Sequence, residues 1–249
     1  TIAGWNPAVN FTGALTMVDR SSSGANYKGL ALAGRHLFAA NFAQGSIDVF
    51  DTNFTLTTLA GNFTDPALPS GYSPFNIQNV DGQLYVMYAK LDPSTQDEVV
   101  GAGNGYVDVF GADGTFLRRL ISNGPLNAPW GIAKAPSDFG ELSDTLLIGN
   151  FGDGHIDAFD PVSGAFISAL MDEQNNPVVI DGLWGLLFGN GAAAGLTNEL
   201  YFSAGIDDEA HGLFGKLSAL DPAVVPEPAT LALFGLGFAA ITGRVARRR

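Results

Sequence analysis

The chain contains no cysteine, only three histidines and three methionines, and just 15% charged residues. Without cysteine there is no disulfide, no thiol nucleophile and no thiolate metal site. His36, His155 and His211 lack the HxxxH or HxH spacing that sets two imidazoles on one metal, so each reads as a loop or strand residue. No G-x-S-x-G elbow offers a serine nucleophile, and no D-x-D-x-D-G loop is present to wrap calcium. The glycine-rich piece Gly101-Ala102-Gly103-Asn104-Gly105 lacks the lysine and following helix of a phosphate loop and reads as turns. Few Lys and Glu, set against 32 Gly and 13 Pro, exclude a helix bundle and favour many short strands joined by turns.

Charge is distributed unevenly. Four of the 12 basic residues and one of the 25 acidic ones lie beyond Val224, leaving 8 against 24, a net of −16 for the body. Such a body repels nucleic acid and anionic lipid, so no nucleic-acid partner is expected.

Internal repetition carries the fold. Asn41-Phe42-Ala43-Gln44-Gly45-Ser46-Ile47-Asp48-Val49-Phe50-Asp51 recurs as Asn150-Phe151-Gly152-Asp153-Gly154-His155-Ile156-Asp157-Ala158-Phe159-Asp160, identical at seven of eleven positions. Between them lies Gly105-Tyr106-Val107-Asp108-Val109-Phe110, and each copy follows an apolar pair: Leu37-Phe38, Leu84-Tyr85 and Leu146-Leu147. A divergent fourth copy reads as Leu200-Tyr201 followed by Leu213-Phe214. The period is roughly 50 to 60 residues, and each unit divides into four short strands, the composition of a propeller blade. In the first unit the strands are expected near 29–32, 37–40, 46–51 and 55–59, with alternation in Ile47-Asp48-Val49-Phe50 as the sheet pattern. Thr1-Ile2-Ala3-Gly4-Trp5 aligns with Ser46 to Phe50, so the chain opens inside a blade. With neither an initiator Met nor a signal peptide, it reads as a fragment.

From Val224 the text changes character. Pro226-Glu227-Pro228 is an extended breaker, Ala229 to Gly243 is an uncharged and mostly apolar run, and Arg244, Arg247, Arg248 and Arg249 form a cationic end. As a helix the run is about 22 Å long, short for a ~30 Å hydrocarbon core. This order resembles the PEP-CTERM sorting signal of Gram-negative bacteria, matched at Pro226, Glu227, Pro228 and at Arg247, Arg248 and Arg249. The resemblance implies recognition by exosortase-type machinery, transient membrane insertion with the C-terminus cytoplasmic, and delivery to the cell surface or extracellular matrix.

The phrases YKGLAL, GYSPFNIQNV, GAGNGYVDVF, NAPWGIA, GNFGDGHIDAFDP and VIDGLWGLLFGNG resemble a family of secreted bacterial NHL-like propeller proteins. That resemblance implies a six-bladed ring, of which about four blades and a partial N-terminal one are present. The expected organisation is an all-β propeller over 1–222 and a sorting tail with a short apolar helix over 223–249.

Chemistry is harder to place. Asp48, Asp108 and Asp157 recur at one position, which favours a structural role repeated per blade over a catalytic acid needed once. Trp130 and Trp184, in Pro-Trp-Gly and Leu-Trp-Gly, start equivalent innermost strands and read first as inter-blade packing, second as a stacking platform. The loops joining strands two to three and four to one share one face, where Asn41, Asn104, Asn150, Asp153, Asp207 and Asp208 form the expected ligand-binding set. No catalytic residue and no cofactor is assigned, although calcium suits such oxygen-rich loops. The expected function is a surface or matrix-associated recognition or scaffold module, with an exopolysaccharide or a surface protein as partner. The alternative is a metal-dependent hydrolase or lactonase at the acidic channel mouth.

Overall fold

The middle strands of the sheets, such as Leu84 to Ala89 and Leu146 to Ile148, are near-continuous apolar runs buried along their length, because both faces of a sheet are covered. The computed structural model describes residues 1–219; the helix expected over 229–243 and the sorting residues lie outside them. A two-stranded sheet of Ile2–Gly4 (β1) and Leu15–Val18 (β2) comes first. The first blade is Tyr27–Ala33 (β3), His36–Asn41 (β4), Ser46–Phe50 (β5) and Leu56–Thr57 (β6). The second is Tyr72–Val80 (β7), Gln83–Lys90 (β8), Gly105–Phe110 (β9) and Phe116–Ser122 (β10). The third is Pro129–Lys134 (β11), Leu146–Asn150 (β12), Ile156–Phe159 (β13) and Phe166–Ala169 (β14). Leu183–Phe188 (β15), Glu199–Ile206 (β16) and His211–Ser218 (β17) make a three-stranded fourth blade.

Every sheet is an antiparallel meander in chain order, and the inner strands β3, β7, β11 and β15 pack in succession about one axis. This is a β-propeller arrangement of four blades, preceded by the two strands of β1–β2. Ile47, Val107 and Ile156 occupy one equivalent place in the third strands, opposite Ala40, Met87 and Gly149. The fourth copy differs from the sequence reading. Phe50, Phe110 and Phe159 stand opposite Leu37, Leu84 and Leu146, but the residue opposite Leu200 is Leu217. A longer β16–β17 hairpin therefore moves Leu213-Phe214 three residues out of the expected register.

Buried clusters lie between blades rather than within them. Ala31, Phe38 and Ala40 of the first blade meet Ile77, Val86 and Phe110 of the second. Tyr85, Met87 and Val107 of the second meet Ile132, Ile148 and Phe159 of the third, and Leu147, Ile156 and Ala158 of the third meet Leu186, Leu200 and Phe202 of the fourth. Ile2 and Val18 cover Ala39 and Phe50 of the first blade.

Turn chemistry absorbs much of the acidic excess. The carboxylates of Asp19, Asp51, Asp92, Asp113, Asp160 and Asp172 lie below their usual pKa, chiefly because the Ser, Thr or Asn two to four residues on hydrogen-bonds to each.

Phe110 is fully buried between the first two blades, with ring centroids 5.3 Å from Phe63 and 5.6 Å from Phe116. Phe110→Ala is expected to lower unfolding free energy by about 3–5 kcal/mol, whereas Leu117→Ala on the exposed side of the same blade should change it by about 0.5 kcal/mol or less. Urea titration of both variants checks this; equal effects would show that stability does not come from inter-blade burial.

Candidate functional site

Each inner strand begins with an irregularity at the same place. The pairing of inner to second strand shifts between Tyr27 and Gly29, between Pro74 and Asn76, between Pro129 and Gly131, and between Leu183 and Leu186. The residues set out of the ladder are Lys28, Phe75, Trp130 and, with Gly185, Trp184. A bulge of this kind turns a side chain away from the pleat, and four in equivalent blades turn four side chains to one end of the axis.

What gathers there is aromatic and charged. Trp130 and Trp184 stand edge to face at 5.3 Å and 88°, and Trp184 also meets Phe151 at 4.4 Å and Phe75 at 5.7 Å. Phe42, Phe75, Ala89 and Ala128 form the buried floor beneath the half-buried tryptophans. The indole N–H of Trp130 donates to the Lys28 carbonyl at 3.1 Å, bridging the third blade to the first across the axis. The Asn76 amide donates to the Trp130 carbonyl at 2.7 Å. Gly131 is required where it stands, because a Cβ there would lie 2.7 Å from the Trp184 carbonyl oxygen.

Charge enters from the second-to-third strand loops. Lys28 Nζ lies 3.5 Å from Asp97 and 3.9 Å from Glu98, both from the long β8–β9 connection. Burial raises the pKa of Glu98, with the negative charges of Asp97 and Glu209 acting in the same direction, and its Oε2 is buried without a hydrogen-bond partner. Glu209 accepts the Trp184 indole N–H at 2.8 Å. It sits in a turn where Asp207, Asp208 and Glu209 all have positive φ, of 57°, 51° and 62°. Three successive non-glycine residues in that region are costly, and such strain collects at working sites.

The six residues expected to bind ligand lie on loops of this face or at strand ends beside it, largely hydrogen-bonded within the fold. Asn41 and Asn150 are fully buried and donate to Asp48 and Asp157 at 3.3 and 2.8 Å. Asn104 accepts from Tyr72 at 3.3 Å and donates to the Val99 carbonyl at 3.2 Å. Asp153 accepts from Asn127, whose backbone N–H in turn donates to Asn150, so these two predicted residues share one neighbour. Asp207 pairs with His211 at 3.3 Å, and it and Asp208 belong to the Glu209 turn. Among the described residues no group of three or more His, Cys, Asp or Glu side chains is arranged to hold a metal. Sequence reasoning singled out the two tryptophans but not their equivalence with Lys28 and Phe75. The signal was available in Lys28-Gly29, Phe75-Asn76, Trp130-Gly131 and Trp184-Gly185, one pair per period.

The per-blade aspartates are props, Asp108 and Asp157 buried and Asp48 partly so. Asp48 accepts from Tyr27 at 2.6 Å; Asp157 is held by Asn150; Asp108 takes the Arg119 Nε at 3.0 Å, and Arg119 bonds Asp65 of the preceding connection and lies 4.7 Å over the Tyr106 ring.

Comparison with known proteins separates the tail from the body. Residues 224–249 match the PEP-CTERM protein-sorting motif. Two uncharacterized proteins of Acanthamoeba polyphaga mimivirus are each 38% identical over 226 residues, covering 87% of this chain and 54% and 58% of their own lengths. The chain thus spans little more than half of the curated relatives it matches. A solved structure assigned as a gluconolactonase superposes with a TM-score of 0.51 at 16% identity, over 80% of this chain and 65% of its own, which establishes the propeller fold alone. The tail carries an export and sorting motif; no helix among the described residues is long and apolar enough to cross a membrane.

Burial raises Asp108 to a pKa of about 7 and Asp157 to about 6; the Arg119 pair and the Asn150 bond oppose it only in part. Because an unfolded aspartate titrates near ~3.9, the native state holds protons that the unfolded chain has released between about pH 4 and 7. Unfolding free energy should therefore fall as pH rises through that window, and Asp108→Asn and Asp157→Asn should each flatten the fall. Urea midpoints measured across the window check this; a midpoint that rises with pH in the unsubstituted chain would contradict it.

Proposed function

We propose that this protein is an exported surface or matrix-associated recognition module that takes its ligand at the axial mouth lined by Trp130, Trp184, Lys28, Glu98 and Glu209. The observation that carries the reading is the convergence of two perpendicular indoles, set out by the inner-strand bulges, with two carboxylates from the second-to-third strand loops. Indole faces pack on the C–H faces of sugar rings, and Glu98 Oε2, which Lys28 approaches only to 3.9 Å and no hydrogen bond satisfies, suits a hydroxyl donor. A neutral surface polysaccharide fits both features, and the acidic body disfavours a polyanion. Through its tail the protein would be handled by exosortase-type machinery and released at the cell surface. A six-bladed NHL-like ring remains the family reading of the intact propeller.

The second reading, a metal-dependent hydrolase or lactonase at the same mouth, draws on the gluconolactonase fold likeness. A donor set for calcium would have to come from amide and backbone oxygens together with single carboxylates such as Asp153 or Glu209.

Glycan-array binding, with and without calcium, separates the two. Trp184→Ala is expected to weaken the best polysaccharide about tenfold, Trp130→Ala similarly, and the exposed Val162→Ala not at all. Affinity unchanged in both tryptophan variants would remove the mouth as the site, and calcium-dependent lactone hydrolysis would favour the second reading. For the tail, Glu227→Ala is expected to divert the protein from the surface fraction, read by fractionation and immunoblotting. Surface delivery equal to the unsubstituted chain would count against the sorting role.

A further inference from the structure

Three asparagines stand two residues before a serine or threonine, and each has phenylalanine between: Asn10-Phe11-Thr12, Asn53-Phe54-Thr55 and Asn62-Phe63-Thr64. Asn53 and Asn62 fall within one repeat period, nine residues apart, so the blade repeat does not account for the recurrence. Asn-x-Ser/Thr is the acceptor pattern for N-linked glycans on the surface of exported chains. The sorting motif over residues 224–249 marks this chain for export.

The second and third copies share one conformation. Phe54 and Phe63 both have positive φ, 59° and 53°, a left-handed backbone that bulky residues seldom adopt. Each ring is held inside the fold. Phe63 lies 5.6 Å from Phe38 and 5.3 Å from Phe110 between the first two blades, and Phe54 packs on the cluster of Ile2, Val18, Ala39 and Phe50. With the ring turned in, the flanking residues turn out, and Asn53, Thr55, Asn62 and Thr64 are all exposed. Backbone strain held in place by packing collects where a segment has a task. Local hydrogen bonds complete the presentation. Thr64 donates its backbone N–H to Asn62 Oδ1 at 3.2 Å, which engages the carboxamide oxygen and leaves the nitrogen as the reacting end. At Asn53 the turn is closed by Asp51, whose carboxylate accepts the backbone N–H groups of Asn53 at 2.8 Å and Thr55 at 2.9 Å. Asn10 lacks the anchor, because Phe11 is 79% exposed.

Both anchored asparagines sit at the end of the propeller away from the mouth. Asn53 lies in the β5–β6 turn, which joins the third and fourth strands of the first blade. Asn62 lies against the matching turn of the second blade: the Gly61 N–H donates to the Asp113 carbonyl at 2.8 Å and the Phe63 N–H to the Gly114 carbonyl at 3.0 Å. Glu98 and Glu209 belong to the opposite end, where second strands pass to third. The third strand β9, about 20 Å long, spans the distance between the two ends.

We propose that Asn53 and Asn62 are acceptors for N-linked oligosaccharide, attached outside the cytoplasm on the face opposite the mouth. The donor is an oligosaccharide carried on a lipid diphosphate. The carboxamide nitrogen attacks its anomeric carbon, the bond from that carbon to the diphosphate oxygen breaks, and a carbon–nitrogen bond forms. The diphosphate leaves with the bonding pair and the nitrogen gives up one proton, so no oxidant or reductant is needed. A carboxamide nitrogen is a weak nucleophile, its lone pair being shared with the carbonyl. The threonine hydroxyl two residues on gives the transferring enzyme a second fixed point by which to hold it. Sugars at these two places leave the mouth open to ligand.

The test is mass spectrometry of the protein taken from the surface fraction of the cells that make it, with fragmentation that keeps sugars attached. Fragments holding Asn53 and Asn62 should carry increments of whole sugar residues. Thr55→Ala and Thr64→Ala should each abolish the increment at their own asparagine, and Thr55→Ser and Thr64→Ser should retain it. Asn53→Gln and Asn62→Gln should abolish it as well, with the hydroxyl still in place. A bare Asn53 or a bare Asn62 in the unsubstituted protein overturns its assignment as an acceptor. Sugar that persists in the glutamine variants and is lost only with threonine sits on the hydroxyl and overturns both. Modification confined to Asn10, which lacks the buried phenylalanine, does the same.

Discussion

A four-stranded sheet with apolar side chains on both faces cannot shield itself from water, and each blade here is stable only as its neighbours cover it. That requirement explains why the buried clusters run between blades, joining Phe38 to Ile77, Met87 to Ile132 and Leu147 to Leu186. At roughly 25 cal/mol per Å² of apolar surface, each junction contributes many times the net value of any single hydrogen bond. The same requirement makes position in the repeat meaningful. Ile77, Ile132 and Leu186 hold one place in three blades and are buried by the blade before each, whereas Leu30 in that place lies 46% exposed.

The inner strands must also converge on an axis, and their bulges are where regular pairing yields to that convergence. A bulge frees one side chain per blade from the ladder, and the propeller aims all four at one mouth. The backbone device is common to the blades, while the side chains are not: lysine, phenylalanine and two tryptophans occupy the four places. Repetition thus builds the frame, and departure from repetition supplies the chemistry. The strained turn at Asp207, Asp208 and Glu209 adds a carboxylate to the fourth blade's tryptophan, whereas the indole N–H of Trp130 in the third blade meets a backbone carbonyl.

Acidic residues divide into two populations with opposite physics. Turn aspartates such as Asp51 and Asp160 are held ionised chiefly by backbone N–H groups, and a charge placed in this way specifies no partner. Buried Asp108 and Asp157 are pushed towards the neutral form, so they tie strands together at a cost that depends on pH. Net charge alone conceals this division.

By itself the sequence determined the blade repeat, the place of Ile47, Val107 and Ile156 in equivalent strands, and the sorting motif at the C-terminus. These are local or periodic signals: alternation, turn residues and apolar pairs recur because every blade meets the same packing problem, and a Pro-Glu-Pro break followed by an apolar run and arginines is read in linear order. Tertiary structure alone decided the register of the fourth blade, since hairpin length, not resemblance, sets which residue faces Leu200. It also decided the mouth. Lys28 and Trp130 are about a hundred positions apart, and their contact follows from the curvature of successive inner strands about an axis, a quantity no local pattern records. Asn41 and Asn150 show the converse: their type and loop position suited a ligand, but burial turned their side chains to Asp48 and Asp157 inside their own blades.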